Sequence, residues 1–331
     1  MSPPTFTYLT DVWFGPGVVR ELSEVAAKWE VRRPLVVTDR GVVAAGTVER
    51  LGLREATVFD GVESNPTEAS VRAGVAVYRA RGCDGVVAVG GGSPIDCAKC
   101  VALMATHPGA LRQYALVEGG LGRITADKPP VIAVPTTAGT GMDAVAHCVE
   151  TYCSPRFNPV AEAIALDGLG RAARHLLRAV EHPGDPAARA EMMMAATMGG
   201  LTFQKGLGAV HQLSHPLGGL PPRRDGWGHG LHHGTLNAVL LPHVLRFNHE
   251  ACAEKVEAMA RVVGCGAGRD LPAYFERLAA AAGLPARLRD VGVTEQECAA
   301  VLDGVMRDHC GATNPRPVTR EDARELLRAA W

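Results

Sequence analysis

The chain has 331 residues, of which 47% are apolar and 21% charged, a composition typical of a globular protein with room for two domains. Its formal net charge of −1 and pI near 6.9 argue against a basic nucleic-acid-binding or membrane-surface protein. Nine scattered cysteines lack paired zinc-type spacing and favour free thiols, and no apolar run reaches transmembrane length, so we expect a cytoplasmic protein.

The first part of the chain alternates short apolar runs with segments of helical periodicity. We predict strands at residues 5–13, 34–39, 56–59, 85–89 and 130–135, and helices at 18–29, 42–52 and 68–81. The runs at 34–39 and 85–89 are apolar throughout, which is typical of buried parallel strands. This alternation predicts a parallel α/β sheet.

A glycine triplet at 90–92 follows the strand at 85–89 directly and leads into a helix. We predict that Ser93 caps this helix and that Asp96 completes a capping box. A helix N-terminus at the carboxyl end of a strand is an anion-binding site. The small and hydroxylated residues at 136–141, after the next strand, line the same crevice or form an ordinary loop.

Strand signals disappear from residue 142 onward. Segments rich in alanine and leucine predict helices at 143–153, 159–180, 185–205, 208–218, 234–247, 251–264, 270–283, 294–308 and 319–330. We therefore predict an α/β domain over residues 1–141 and an all-helical domain over 142–331.

Histidines are concentrated in the helical part, where seven of the twelve lie between residues 211 and 249. His211 and His215 are four residues apart, which places them on one face of a helix. Asp143 and His147 have the same spacing further upstream. Because a neutral imidazole is the commonest metal ligand, we predict a divalent metal site, although any single histidine could be a core or surface residue.

Five motifs carry a resemblance to a known family: GGGSPIDCAK, PTTAGTG, DAVAHCVE, HQLSHPLGG and HHGTLNAVLLPHVLRFN. In this order they resemble the iron-containing (group III) alcohol dehydrogenases. The resemblance implies a Rossmann-like parallel-sheet domain, an all-α domain and an active site between them, the dehydroquinate synthase-like architecture. It also implies NAD and Fe²⁺, with Zn²⁺ as a possible substitute.

The resemblance assigns roles to individual residues. The implied metal ligands are Asp143, His147, His211 and His233, and the neighbouring His229 and His232 compete with His233. His215 corresponds to a proton-relay position. The expected cofactor contacts are Asp39, Gly90, Gly91, Gly92, Ser93, Asp96, Thr136 and Thr137. The Asp39 carboxylate is expected to bind the adenosine ribose and to repel a 2′-phosphate, which favours NAD(H) over NADP(H).

The sequence departs from the family pattern at two places. Family members usually carry a sizeable segment between the GTG turn and the metal-binding aspartate, whereas Met142 here follows Gly141 directly. The segment is either deleted or absent from this sequence. The link at 220–231 is longer than usual and forms either a flap carrying Arg223, Arg224 and Trp227 or a plain surface loop.

The resulting functional prediction is a metal-dependent, NAD(H)-linked oxidoreductase. It interconverts a small alcohol or hydroxy acid, for example one like 4-hydroxybutyrate, and the aldehyde or ketone. A substrate carboxylate could pair with Lys205, Arg223, Arg224 or Arg316. The alternatives are a maleylacetate reductase-type enzyme, a dehydroquinate synthase-like lyase, or a catalytically impaired homologue with a binding or structural role. We expect a homodimer or larger homo-oligomer with no nucleic-acid or membrane partner.

Overall fold

The structure is a computed structural model that describes residues 8, 10–53, 55–63, 65–115, 118–138, 141–220 and 231–331. The chain divides into two units, one built on Val12–Thr137 and the other on Ala138–Trp331. The first unit is α/β, and the described part of the second is helical, which confirms the predicted fold class. The domain limits at 141 and the roles assigned to the two domains stay predictions.

Four parallel strands form the sheet of the first unit, in the order β2-β1-β3-β4. Their bounds are Pro34–Val37 (β1), Thr57–Phe59 (β2), Gly85–Gly90 (β3) and Val131–Pro135 (β4). The two central strands, β1 and β3, are buried at every position. This burial explains their continuous apolar sequences, because a strand covered on both faces needs no polar side.

Helices cover both faces of this sheet. They are Leu22–Lys28 (α1), Arg40–Ala44 (α2), Glu68–Ala80 (α3) and Gly92–Thr106 (α4). Leu35 and Val37 of β1 face a core shared with α3 and α4, whereas Val36 faces a core shared with Leu22 of α1. This alternation follows from the two-residue period of a strand. The helix predicted at 42–52 is divided into α2 and a 3-10 turn at Glu49–Leu51.

Two predictions for the first 141 residues are wrong. In the described part of the strand predicted at 5–13, residues 8 and 10–13, there is no strand, and Trp13 is exposed. Ser93 does not cap α4, because the helix begins at Gly92 with Gly91 as its N-cap. The chain turns at Gly90, whose φ of +143° is a conformation that glycine adopts readily. The helix therefore begins one residue before Ser93, and neither Ser93 nor Asp96 occupies the capping position predicted for it.

The second unit contains ten α-helices in its described residues. They are Met142–Cys153 (α5), Pro159–Glu181 (α6), Pro186–Leu201 (α7), Ala209–Gly218 (α8), His233–Asn248 (α9), Ala253–Val263 (α10), Leu271–Ala281 (α11), Glu295–Ala300 (α12), Leu302–Arg307 (α13) and Arg320–Ala330 (α14). All nine predicted segments are helical, and the one at 294–308 is divided into α12 and α13. One continuous apolar core joins these helices, with α5, α8 and α9 contributing fully buried positions such as Val145, Leu213 and Leu240.

All nine cysteines are free thiols, as predicted. Among the described residues, no helix is both long and apolar enough to cross a lipid bilayer.

Candidate metal centre and cofactor loop

Three helices bring one carboxylate and three imidazoles together. Asp143 and His147 lie one turn apart on α5, His211 lies in the first turn of α8, and His233 is the first residue of α9. One donor atom of each residue lies within 4.8 Å of the donors of the other three. Two other histidines were alternatives to His233 as the fourth ligand. His232 is not in this cluster, and His229 lies outside the described residues.

The donors surround one carboxylate oxygen. The Nε2 atoms of His147, His211 and His233 lie 3.6, 3.8 and 3.6 Å from Oδ1 of Asp143. The rings of His147 and His211 are stacked with their centroids 4.7 Å apart. A set of one carboxylate and three imidazoles fits a divalent first-row cation such as Fe²⁺ or Zn²⁺. That these four side chains bind the metal stays a prediction.

The electrostatics of the cluster give most of the donors the protonation state that a metal ligand needs. Burial lowers the pKa of His147 to about 3 and that of His233 to about 4, which leaves both imidazoles neutral with a free lone pair. Burial alone would raise the pKa of Asp143, but His147 and the other imidazoles outweigh it and lower the pKa. The carboxyl group is therefore ionised.

His211 differs from the other two imidazoles because two carboxylates contact it. Burial would lower its pKa, but Glu150 and Asp143 outweigh burial and raise it to about 9. Nδ1 of His211 is hydrogen-bonded to Oε2 of the buried Glu150. Glu150 is not among the residues predicted for the site, although it lies on α5 one turn beyond His147 within the DAVAHCVE motif.

Asn237 is a second missed residue, one turn after His233 on α9. Its Nδ2 donates to Oδ1 of Asp143 at 2.7 Å and lies 3.3 and 3.0 Å from Nε2 of His211 and His233. Its buried Oδ1 has no hydrogen-bond partner among the described residues. A half-turn of the amide would present this oxygen to a cation, so the side chain is compatible with a bound metal.

His215 lies beside the cluster and outside the four-residue set. Its ring stacks on that of His233 at 5.5 Å, and its Nδ1 lies 2.9 Å from Oδ2 of Asp308. The imidazole is partly exposed, with 37% of the side chain accessible. The ring lies next to the imidazoles of His211, His233 and His309, a position that suits a proton relay. This role stays a prediction. Asp308 had no recognisable signal in the sequence.

In the first unit the glycine turn forms a close junction between β3 and α4. A Cβ placed on Gly90 would lie 2.7 Å from Cγ of Pro94 and 3.4 Å from Oδ2 of Asp39. A Cβ on Gly92 would meet nothing within 4 Å, so this face of the turn is open. No side chain of the described residues caps α4, so its first amide groups are available to an anion such as a pyrophosphate.

The other predicted cofactor contacts divide into two groups. Thr136 donates its backbone N–H to Gly90 O at 2.9 Å, and a Cβ on Gly91 would lie 3.1 Å from Thr137 Cγ2, so both threonines adjoin the glycine turn. Asp96, by contrast, is 65% exposed and paired with Lys99 on the surface of α4. Ser93 accepts a hydrogen bond from Asn65 N through its Oγ.

Four basic residues were predicted as possible partners of a substrate carboxylate, and the structure describes two of them, Lys205 and Arg316. Lys205 is fully buried and bound to backbone carbonyls and Glu162, so it has no exposed atom to offer a substrate. Arg316 lies over the ring of Phe247 and pairs with Asp322. Arg223 and Arg224 lie outside the described residues, as does most of the 220–231 link.

Family profiles match the whole region that holds the glycine turn and the histidine cluster. The profile described as iron-containing alcohol dehydrogenase matches residues 10–154, and that of the Fe-containing alcohol dehydrogenase family, C-terminal, matches residues 137–331. The chain belongs to the iron-containing alcohol dehydrogenase family. It is therefore an NAD-linked, metal-dependent oxidoreductase of alcohols and aldehydes, with NAD(H) and Fe²⁺ as cofactors.

Three relatives show how far the similarity extends. The chain is 44% identical to a 4-hydroxybutyrate dehydrogenase of Cupriavidus necator, covering 97% of this chain and 98% of the relative. It is 34% identical to a 1,3-propanediol dehydrogenase of Klebsiella pneumoniae, with both chains covered completely. A crystal structure of 1,3-propanediol oxidoreductase superposes with a TM-score of 0.90 at 33% identity, covering 99% of this chain and 100% of that one.

The first of these alignments spans 377 residues, more than the 331 of this chain. The relative therefore contains residues that have no counterpart here. That they belong after Gly141 stays a prediction.

Proposed function

We propose that this enzyme interconverts a short hydroxy acid and the corresponding aldehyde acid, with 4-hydroxybutyrate as the first candidate substrate. The support is the 44% identity, over nearly the whole of both chains, to the 4-hydroxybutyrate dehydrogenase. We also propose a homo-oligomer, testable by light scattering, and a cytoplasmic location, for which the nine free thiols fit a reducing compartment.

The observation that carries the chemistry is the convergence of Asp143, His147, His211 and His233. In our proposal these four side chains hold Fe²⁺. When bound, the metal supplies Lewis acidity that lowers the pKa of the alcohol, and NAD⁺ supplies the hydride acceptor. His215 takes up the released proton at Nε2, since its Nδ1 is occupied by Asp308.

The residues of the first unit bind the dinucleotide in this proposal. The open turn at Gly90–Gly92 and the uncapped start of α4 hold the pyrophosphate, with Thr136 and Thr137 beside it. Asp39 binds the adenosine ribose. Ser93 and Asp96 are further cofactor contacts in this proposal; Ser93 is partly buried, and Asp96 lies exposed on the surface of α4.

A matched pair of substrates tests the proposal. 4-Hydroxybutyrate and 1,4-butanediol have the same carbon skeleton and differ by a carboxylate in place of a second hydroxymethyl group. A charge-assisted hydrogen bond contributes about 1.5–3 kcal/mol, so we expect kcat/KM to be at least about tenfold higher for the hydroxy acid. Rates are measured with Fe²⁺-loaded protein and NAD⁺; an equal or higher kcat/KM for the diol would refute the hydroxy-acid assignment.

The alternatives predict different results from the same preparation. A maleylacetate reductase-type enzyme would reduce maleylacetate with NADH faster than it oxidises any alcohol. An impaired homologue would bind metal but neither bind NADH nor turn over. The convergence of all four ligand positions favours a dehydrogenase over a maleylacetate reductase-type enzyme. NADH binding and turnover distinguish the active enzyme from an impaired homologue.

A further inference from the structure

Both histidines of the HQLSH motif are bound at Nδ1 by a carboxylate from another helix or turn. We propose that Glu150 and Asp308 are positioning residues that keep a proton on Nδ1 of His211 and His215, which leaves each Nε2 free to accept a metal ion or a proton. The part that concerns His215 rests on the proposed function, whereas the part that concerns His211 does not depend on the substrate.

Glu150 uses both oxygens on the start of α8. Oε1 accepts the backbone N–H of Val210 at 2.6 Å, and Oε2 is hydrogen-bonded to Nδ1 of His211. The carboxylate is 5% exposed, so water does not compete for it. A backbone N–H can only donate, and a carboxylate can only accept. The second oxygen is thus left for the imidazole, whose Nδ1 must carry the proton.

Asp308 repeats this arrangement for the second histidine. Oδ1 accepts the backbone N–H of Cys310 at 2.8 Å, and Oδ2 lies 2.9 Å from Nδ1 of His215. The residue sits between α13 and the 3-10 turn His309–Thr313, so the backbone fixes the carboxylate. One oxygen of Asp308 thus accepts the N–H of Cys310, and the other is left to accept a proton from Nδ1 of His215.

The consequence lies at the opposite ring nitrogen. A metal ion or an incoming proton can bind only a ring nitrogen that carries no proton. Because the carboxylate holds a proton at Nδ1, Nε2 is the nitrogen that gives up its proton and offers its lone pair. For His211 this atom faces Asp143 and the other metal donors. Carboxylates that orient ligating histidines in this way raise metal affinity by about tenfold to a hundredfold in other metalloproteins.

An amide substitution separates this role from packing. Glutamine has the shape of glutamate but only one acceptor oxygen, so in E150Q either Val210 N–H or His211 Nδ1–H loses its acceptor. We expect E150Q to bind Zn²⁺ or Fe²⁺ about tenfold to a hundredfold more weakly in competition with a chromogenic chelator. The matched control is E257Q, because Glu257 accepts the backbone N–H of Gly268 at 2.9 Å and, in the part of the chain that the structure describes, no imidazole N–H. Equal metal affinity in E150Q and wild type would overturn the role of Glu150.

The same change at Asp308 should affect turnover and leave metal binding intact. In D308N the amide oxygen stays on Cys310 N–H and the NH₂ group faces Nδ1 of His215, which moves the imidazole proton to Nε2. We expect kcat to fall by about a hundredfold or more, with metal affinity and the KM for alcohol within about twofold of wild type. D290N is the control, since Asp290 accepts the backbone N–H of Arg287 and contacts no imidazole of the described residues. An unchanged kcat in D308N would overturn the role of Asp308.

Long-range ¹H–¹⁵N spectra of the imidazoles in Zn²⁺-loaded wild type provide a measurement that requires no variant to fold. We expect the proton at Nδ1 of both His211 and His215; a proton at Nε2 of either ring would refute the proposal for that residue. The spectra and the metal affinity of E150Q are independent of the substrate. If E150Q loses metal while wild type oxidises no hydroxy acid, the proposed substrate fails and the inference stands.

Discussion

At the scale of single residues, Asp39 caps a helix in the structure and has a second role, ribose binding, in our proposal. Its Oδ1 accepts the backbone N–H of Val42 at 2.9 Å and caps α2. Its Oδ2 faces the glycine turn, 3.4 Å from the position of a Cβ on Gly90. Helix capping and recognition of a ribose therefore do not exclude each other, because each uses a different oxygen.

The substitution D39N tests the second role alone. Asparagine is as good an N-cap as aspartate, so the helix is kept while the negative charge is removed. We expect the ratio of kcat/KM for NADP⁺ to that for NAD⁺ to rise at least about tenfold, since the repulsion of a 2′-phosphate is lost. D84N, which changes a carboxylate that binds the amides of Arg32 and Arg33, is the control. An unchanged ratio would leave Asp39 as a helix cap only.

At the scale of elements, α5 organises most of the site. It carries Asp143, His147 and Glu150 along its length, and two ammonium groups bind its C-terminal end. Lys205 and Lys255 donate to backbone carbonyls at this end, namely those of Thr151, Tyr152 and Ser154. Positive charge at a helix C-terminus interacts favourably with the helix dipole. Lys205 thus stabilises the helix that presents the metal donors.

Replacement of Lys205 by methionine should lower the stability of the protein. The side chain is fully buried, and its loss leaves Thr151 O without its ammonium donor, which costs about 1–3 kcal/mol. We expect a decrease of this size in the free energy of unfolding, measured in urea at pH 7.5. K255M is the comparison, and because the Lys255 side chain is 28% exposed we expect a smaller decrease. Equal stability of K205M and wild type would contradict this account.

The contribution of Lys205 should also depend on pH. Burial lowers its pKa from 10.5 to about 8 in the folded protein, so between these values the unfolded chain binds more protons than the folded one. Stability then rises with pH in this window, as the cost of burying the charge is relieved. We expect the difference in unfolding free energy between wild type and K205M to increase from pH 8 to pH 10. A difference that shrinks over this range would show that Lys205 stays charged.

At the scale of the whole molecule, the predicted metal ligands all belong to the helical unit, whereas the glycine turn belongs to the α/β unit. A metal would link α5, α8 and α9, which are distant in the sequence. A ligand that binds only the folded state stabilises it by about 2.7 kcal/mol at a concentration of a hundred times Kd. The increase in the free energy of unfolding on addition of a metal is therefore a measure of metal binding.

We expect added Zn²⁺ to raise the thermal midpoint of the chelator-treated protein by several degrees, as followed by differential scanning fluorimetry. H233A should lose most of this shift, because it removes one of the four predicted ligands. H243A replaces another histidine of α9 outside the cluster, and it should keep the shift. A full shift in H233A would place the metal elsewhere.

The sequence by itself determined the α/β and all-α parts, since periods of two and of 3.6 residues are local properties, and it determined that Asp143 and His147 share a helix face. The predictions of an edge strand at 5–13 and of Ser93 as the cap of α4 were wrong, because strand pairing and the turn at Gly90 depend on neighbours in space. Only the tertiary structure paired Glu150 with His211 and Asp308 with His215, contacts that join residues 61 and 93 positions apart. No local pattern encodes such distances, because they are set by how helices pack on a shared core.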